Sequence, residues 1–131
     1  MPDRGLILIV DDEAKSTQTL RDLLAENGYA VQHSSSDPQS LESLSTGEAD
    51  LVLLDADLEH HDPFELLARL KERQRGVDVP VIFMTSGDDS GLRLKGLTSA
   101  DDLIVKPFDM HEVLARVERQ VTVSKAVSYT H

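Results

Sequence analysis

Short, uninterrupted apolar runs recur along the 131-residue chain. Such a run is typical of a strand buried on both faces, because neither of its sides meets water. Between the runs, apolar residues recur at three- and four-residue spacing, which indicates amphipathic helices. Strands that alternate with helices predict an α/β protein with a single, doubly wound, five-stranded parallel sheet covered by helices on both faces. The strands are predicted at 5–10, 29–33, 50–54, 79–84 and 103–105.

Helix boundaries are marked by capping residues and prolines. Asp37-Pro38 and Asp62-Pro63 each supply an N-cap followed by a first-turn proline, and Asn27-Gly28 is a helix stop. The helices are predicted at 13–27, 37–45, 63–75, 88–97 and 109–121. The fourth predicted helix contains two glycines, each costing up to ~1 kcal/mol relative to alanine, so we expect it to be the most mobile. The domain is predicted over 5–122, and 123–131 is predicted to be a C-terminal tail or the start of a linker.

Polar residues follow four of the predicted strands. The runs end in Asp11-Asp12, in Asp55, in Thr85 and in Lys106. Because ligands of open parallel sheets bind at the carboxyl ends of the strands, we expect these side chains to gather at one rim. Carboxylates about 4 Å apart repel by roughly 1 kcal/mol in water and by several times more when partly buried. A magnesium ion, which prefers oxygen ligands, would offset this repulsion.

Composition excludes several classes of protein. The formal net charge of −11 disfavours direct binding to a nucleic-acid backbone, which requires a basic face. The chain contains no cysteine, so it has neither disulfides nor a thiolate zinc site. No apolar run approaches the ~20 residues of a membrane span, and the N-terminus lacks the pattern of a signal peptide. These features predict a cytoplasmic protein that does not bind membranes.

Taken together, the motifs at the strand ends resemble those of the receiver domain of two-component response regulators. They are Val10-Asp11-Asp12-Glu13, Leu53-Leu54-Asp55, Thr85 and Lys106-Pro107-Phe108. The resemblance implies a flavodoxin-like fold with strand order 2-1-3-4-5. It also implies that Mg²⁺ is bound directly by Asp12 and Asp55, through water by Asp11, and by the backbone carbonyl of Asp57.

The same resemblance implies a function. Asp55 would accept a phosphoryl group from a histidine kinase or a phosphotransfer protein, with Thr85 and Lys106 contacting that group. The domain would catalyse only its own phosphorylation and dephosphorylation and would turn over no external substrate. Its output surface would lie near the fourth helix, the fifth strand and the last helix, and would act on an output domain or effector protein.

Some residues depart from the family pattern. Leu103 stands where the family usually has tyrosine or phenylalanine, so we expect the fourth helix to carry the conformational change instead. Glu112 and Arg116 match only half of the dimerisation signature of winged-helix transcription regulators, which leaves a homodimer open. Two other functions also remain open. Asp55 and Asp57 resemble the carboxylate pair of a haloacid-dehalogenase-type phosphohydrolase, and the chain could instead be a receiver-like interaction module that is not phosphorylated.

Overall fold

The computed structural model describes residues 4–37, 49–57, 61–72, 79–86 and 102–129. The predicted helix over 37–45, beyond Asp37 itself, and the predicted helix over 88–97 lie outside these ranges. Within them, none of the helices combines the length and the apolar character needed to cross a membrane.

The described residues contain five strands and three helices. The strands are β1 (Leu6–Val10), β2 (Ala30–Ser34), β3 (Leu51–Asp55), β4 (Val81–Thr85) and β5 (Asp102–Val105). The helices are α1 (Ala14–Glu26), α2 (Pro63–Glu72) and α3 (Met110–Tyr129). Every residue of β3 and β4 is buried, as uninterrupted apolar runs predict for central strands of a parallel sheet.

All five strands pair in parallel in the order β2-β1-β3-β4-β5, which confirms the predicted sheet and its flavodoxin-like order. The register aligns the carboxyl ends of the three central strands. Val10 pairs with Leu54, and Asp55 pairs with Met84. Thr85 pairs with Val105 in turn, so the residues that end these strands lie along one edge.

The hydrophobic core has two parts, one on each face of the sheet. Alternate residues of a strand point to opposite faces, so Phe83 joins one part and its neighbour Ile82 joins the other. The leucines of α2 pack into the first part. Apolar residues of α1 and α3 pack into the second part: Leu20, Leu24, Val113, Val117 and Val121. The predicted cover of helices on both faces is therefore confirmed.

Helix α3 extends beyond the predicted end of the last helix. The apolar pattern ends with Val121, but the helical backbone continues to Tyr129. Residues 122–129 contain neither glycine nor proline, so the sequence supplies no residue that would stop the helix. Apolar periodicity reports which residues pack against the core and does not by itself mark where the backbone ceases to be helical. The domain boundary at residue 122 stays a prediction.

The turn after α1 depends on a glycine. Gly28 has a φ angle of 92°, in the left-handed region that disfavours residues with a Cβ atom. A Cβ atom there would also lie 3.0 Å from Cδ of Arg4. The Arg4 guanidinium crosses this turn, lies 4.8 Å from the centre of the Tyr29 ring and donates to the carbonyl of Asn27 at 3.1 Å. These contacts fix the start of β1 beside the start of β2.

Candidate functional site

The strand ends bring polar side chains together in an otherwise apolar setting. Asp11 directly follows β1, Asp55 ends β3, Thr85 ends β4 and Lys106 directly follows β5. The first three are almost fully buried, with exposed fractions of 1%, 5% and 1%. Buried polar groups must find partners, so the contacts among these residues define the chemistry that the rim can perform.

Asp55 is a buried carboxylate held by two donors. Its Oδ1 atom accepts hydrogen bonds from Nζ of Lys106 at 3.0 Å and from the backbone N–H of Asp57 at 2.9 Å. Burial raises the pKa of Asp55 to about 6, and the neighbouring Asp11 side chain acts in the same direction. The two donors lower that pKa but do not cancel the cost of burial. Asp55 is therefore predominantly ionised at neutral pH and becomes protonated in mild acid.

Lys106 bridges two carboxylates. Its ammonium lies 3.0 Å from Oδ1 of Asp55 and 3.3 Å from Oδ2 of Asp57. Burial alone lowers the pKa of Lys106, but the hydrogen bonds and charges of the two carboxylates outweigh it and raise the pKa above its usual value. The ammonium is thus a fixed positive charge at the rim. The peptide bond that joins it to Pro107 is cis.

The carboxylate of Asp57 collects donors from the end of β4 and the residue that follows it. Oδ1 accepts from the Thr85 hydroxyl at 3.0 Å, and Oδ2 accepts from the Ser86 backbone N–H at 2.7 Å. Burial raises the pKa of Asp57, but these hydrogen bonds together with the charge of Lys106 lower it below its usual value. For magnesium binding, the resemblance implied only the backbone carbonyl of Asp57, and the hydrogen bonds of its side chain with Thr85 and Ser86 were not predicted.

The acidic pair after β1 uses separate partners. Oδ1 of Asp11 accepts from the backbone N–H of Glu13 at 2.8 Å. Asp12 accepts from the backbone N–H of Ser36 at 2.7 Å and from its hydroxyl, at 3.0 Å to Oδ1 and 2.7 Å to Oδ2. Sequence reasoning missed Ser36, although it stands just past the carboxyl end of β2, where a polar residue is also expected to lie at the rim.

The fit of a magnesium ion can be judged from these carboxylates. The structure brings the side chains of Asp11 and Asp55 together. The side chain of Asp12 instead accepts hydrogen bonds from Ser36, and that of Asp57 accepts them from Thr85 and Ser86. Within the described ranges, no three side chains of histidine, cysteine, aspartate or glutamate are grouped to hold a metal. The predicted ligands nevertheless suit Mg²⁺ in kind, because all are oxygen atoms, and the adjacent buried carboxylates would be relieved by a cation.

The fold and the site together define a class of protein. The class comprises flavodoxin-like α/β proteins that place acidic, hydroxyl and ammonium groups at the switch point of the sheet. A family model described as "Response regulator receiver domain" matches residues 7–118. The chain therefore belongs to the response regulator receiver domain family.

Curated relatives are response regulators from several bacteria. The chain is 44% identical over 112 residues to the transcriptional activator protein IrlR of Burkholderia pseudomallei (strain 1026b), covering 85% of this chain and 48% of IrlR. It is 38% identical over 112 residues to the transcriptional regulatory protein PcoR of Escherichia coli, covering 85% and 49% respectively. The chain thus spans about half the length of the curated relatives it matches.

Solved structures agree with the fold. The signal receiver domain of an HD domain-containing protein from Pseudomonas fluorescens Pf-5 superposes with a TM-score of 0.82 at 26% identity, covering 98% of this chain and 96% of that one. The non-phosphorylated HemR receiver domain from Leptospira biflexa superposes with a TM-score of 0.75 at 30% identity, covering 88% and 93%.

Receiver domains of this family typically use Mg²⁺ at their phosphorylation site and are generally not enzymes that turn over an external substrate.

Proposed function

We propose that this chain is a phosphoryl-accepting switch and that Asp55 is the acceptor. The observation that carries the proposal is the contact between the Lys106 ammonium and the buried carboxylate of Asp55, 3.0 Å apart at the carboxyl end of the sheet. A carboxylate is a weak nucleophile, but it can attack phosphorus when fixed charges stabilise the oxygens of the transferring group. Lys106 supplies such a charge.

The transfer can be written as a balanced displacement. A carboxylate oxygen of Asp55 attacks the phosphorus of a phosphohistidine on a histidine kinase or a phosphotransfer protein. An O–P bond forms and the P–N bond breaks. The histidine nitrogen keeps the electron pair and takes a proton from solvent. Lys106 and the Thr85 hydroxyl would contact the transferred oxygens, together with the Ser86 N–H.

Magnesium binding forms part of the proposal. Asp12 and Asp55 would bind the ion directly, Asp11 through water, and Asp57 through its backbone carbonyl. When bound, Mg²⁺ would neutralise negative charge on the phosphoryl oxygens. The support is the oxygen-only donor set and the closeness of the Asp11 and Asp55 side chains.

The wider role is proposed from the relatives. They are named as transcriptional regulators and are about twice as long as the match, so we propose that residues 5–122 form a receiver that controls an output domain or effector protein. The kinase or phosphotransfer protein would be its upstream partner, in the cytoplasm. The domain itself would not contact nucleic acid, since the chain carries a net charge of −11. A homodimer is a further proposed assembly.

Acetyl phosphate, a small phosphoryl donor, tests the acceptor. With Mg²⁺, the wild-type protein should gain the mass of one phosphoryl group in intact-mass spectra, and Asp55→Asn should gain none. Asp22→Asn is the matched control, because it removes one exposed carboxylate charge on α1 and keeps the amide oxygen as an acceptor for Gln18. Equal labelling of the Asp55→Asn variant would disprove the assignment. Steady turnover of para-nitrophenyl phosphate would instead indicate the phosphohydrolase.

A further inference from the structure

The carboxylate of Asp57 already binds the donors that a phosphoryl group on Asp55 would need. Three donors from two elements converge on it: the Thr85 hydroxyl at 3.0 Å, the Ser86 N–H at 2.7 Å and the Lys106 ammonium at 3.3 Å. They comprise a hydroxyl, an amide and a cation, which is a typical set for an oxyanion. This site is therefore an anion-binding site whose present occupant is a side chain of the same protein.

The donors are shared with the proposed acceptor. The Lys106 ammonium contacts the carboxylates of both Asp55 and Asp57. The Asp57 backbone N–H also donates a hydrogen bond to the Asp55 carboxylate at 2.9 Å. A phosphoryl group on Asp55 would carry its negative oxygens into the same neighbourhood. The Asp57 carboxylate and the phosphoryl group are both negatively charged and accept hydrogen bonds from the same three donors. They therefore cannot bind all three donors at the same time.

We propose that the Asp57 side chain is an internal competitor for the phosphoryl group, occupying the Thr85, Ser86 and Lys106 donors until Asp55 is phosphorylated. The inference rests on the proposed receiver function and deepens it. On phosphorylation the Asp57 carboxylate leaves these donors for solvent. Loss of these contacts opposes the phosphorylated state. Asp57 therefore raises the concentration of phosphoryl donor, such as acetyl phosphate, that is needed to populate that state. The same exchange couples Thr85 and Ser86 to the state of Asp55.

A free oxyanion reports the competition without metal or phosphoryl transfer. The probe is sulfate, added with a chelator to the ¹⁵N-labelled full chain and followed at the Ser86 amide by NMR. Asp57→Ala removes the internal anion, so sulfate should bind roughly tenfold or more tightly than to the wild type, the range expected for freeing charge-assisted hydrogen bonds. The Ser86 amide proton should also shift in this variant before sulfate is added.

Asp12→Asn is the matched control for charge. It removes one negative charge from the same rim, but that carboxylate is bonded to Ser36 and not to the three donors. If loss of charge alone strengthens sulfate binding, Asp12→Asn and Asp57→Ala will behave alike, and the competition is overturned. An unchanged Ser86 amide in Asp57→Ala would overturn it as well. Amide spectra of both variants establish that each is folded.

Phosphorylation by acetyl phosphate with Mg²⁺ tests the competitor role of Asp57 separately from the proposed receiver function. Asp57→Ala should reach half-labelling at a several-fold lower concentration of acetyl phosphate than the wild type. If the wild type is labelled and Asp57→Ala needs as much donor or more, the competitor is disproved and the receiver function stands. If the wild type is not labelled, the receiver function fails, and the sulfate experiment still decides whether Asp57 occupies an anion site.

Discussion

Replacing Asp55 by asparagine should stabilise the protein, and by an amount that depends on pH. Burial raises the pKa of Asp55 from its ordinary value of 3.8 to about 6 in the folded state. A carboxyl group whose pKa is raised by folding favours the folded state below its unfolded pKa. That contribution is lost as the pH rises through the folded pKa. Asparagine has nearly the same shape and never becomes charged.

The size of the effect follows from the two pKa values. Their difference of about 2 corresponds to about 3 kcal/mol, counted from full protonation to full ionisation of Asp55. Between about pH 4.5 and about pH 8, the difference in unfolding free energy between the two proteins should change by roughly 2 kcal/mol. The change is smaller than the full value because Asp55 in the unfolded chain is already largely ionised at the lower pH. That is a large share of the ~5–15 kcal/mol that stabilises a typical domain.

Urea unfolding in the presence of a chelator measures the effect. The free energy of unfolding is determined for the wild type and for Asp55→Asn across this pH range, and the difference between them is plotted. The difference should grow in favour of the variant as the pH rises and should level off above about pH 7. Other titrating groups largely cancel in the difference. Asp22→Asn, which removes an exposed carboxylate on α1, is the control for the loss of one negative charge.

Two results would refute the reasoning. A difference that does not change with pH would mean that Asp55 titrates alike in the folded and unfolded chains. A difference that shrinks as the pH rises would mean that Lys106 and the Asp57 amide outweigh burial and lower the pKa of Asp55. Adding Mg²⁺ near pH 8 should narrow the gap, because a cation favours the ionised carboxylate.

Three further predictions concern the metal and the fold. Mg²⁺ should raise the thermal midpoint of the wild type but not of Asp12→Ala, and an equal rise in both would count against Asp12 as a ligand. Phe83→Ala should cost about 3–5 kcal/mol in urea unfolding, because the ring is fully buried and packs edge-on against Phe64 at 5.3 Å; a loss below about 1 kcal/mol would show that the core refills the space. Gly28→Ala should cost about 1–2 kcal/mol, since its φ angle of 92° disfavours a Cβ atom, and a neutral result would show that the turn relaxes.

Much of the fold could be predicted because the signals are local. The central strands have uninterrupted apolar runs, and such runs are typical of strands that are buried on both faces. Strand order is a different matter, because no local pattern specifies which strands are neighbours, and the order came from the family resemblance. The end of α3 could not be placed from apolar spacing, because the helical backbone continues to Tyr129, eight residues after Val121, where the predicted pattern ends.

The candidate site was predictable where it follows from one rule, which is that polar residues at the carboxyl ends of parallel strands gather at one rim. That rule gave Asp11, Asp55, Thr85 and Lys106, each at or next to a strand terminus. It could not give the direction of the Asp57 side chain, which depends on donors 28 and 29 residues away that only the folded sheet brings near. Applied to β2, the same rule gives Ser36, which donates hydrogen bonds to Asp12.

The pairing of β3 with β4 makes one alignment responsible for two different properties. Asp55 lies opposite Met84, and this places Thr85 one residue further along the rim. A slip by one residue would move Thr85 away from its partners, and it would also turn Phe83 out of one part of the core and towards the other. Because both faces are buried, this exchange would put side chains of the wrong size and shape into both parts of the core. A chain with a misaligned site would therefore not persist as a folded but inactive protein, because the misalignment removes the packing on which folding depends.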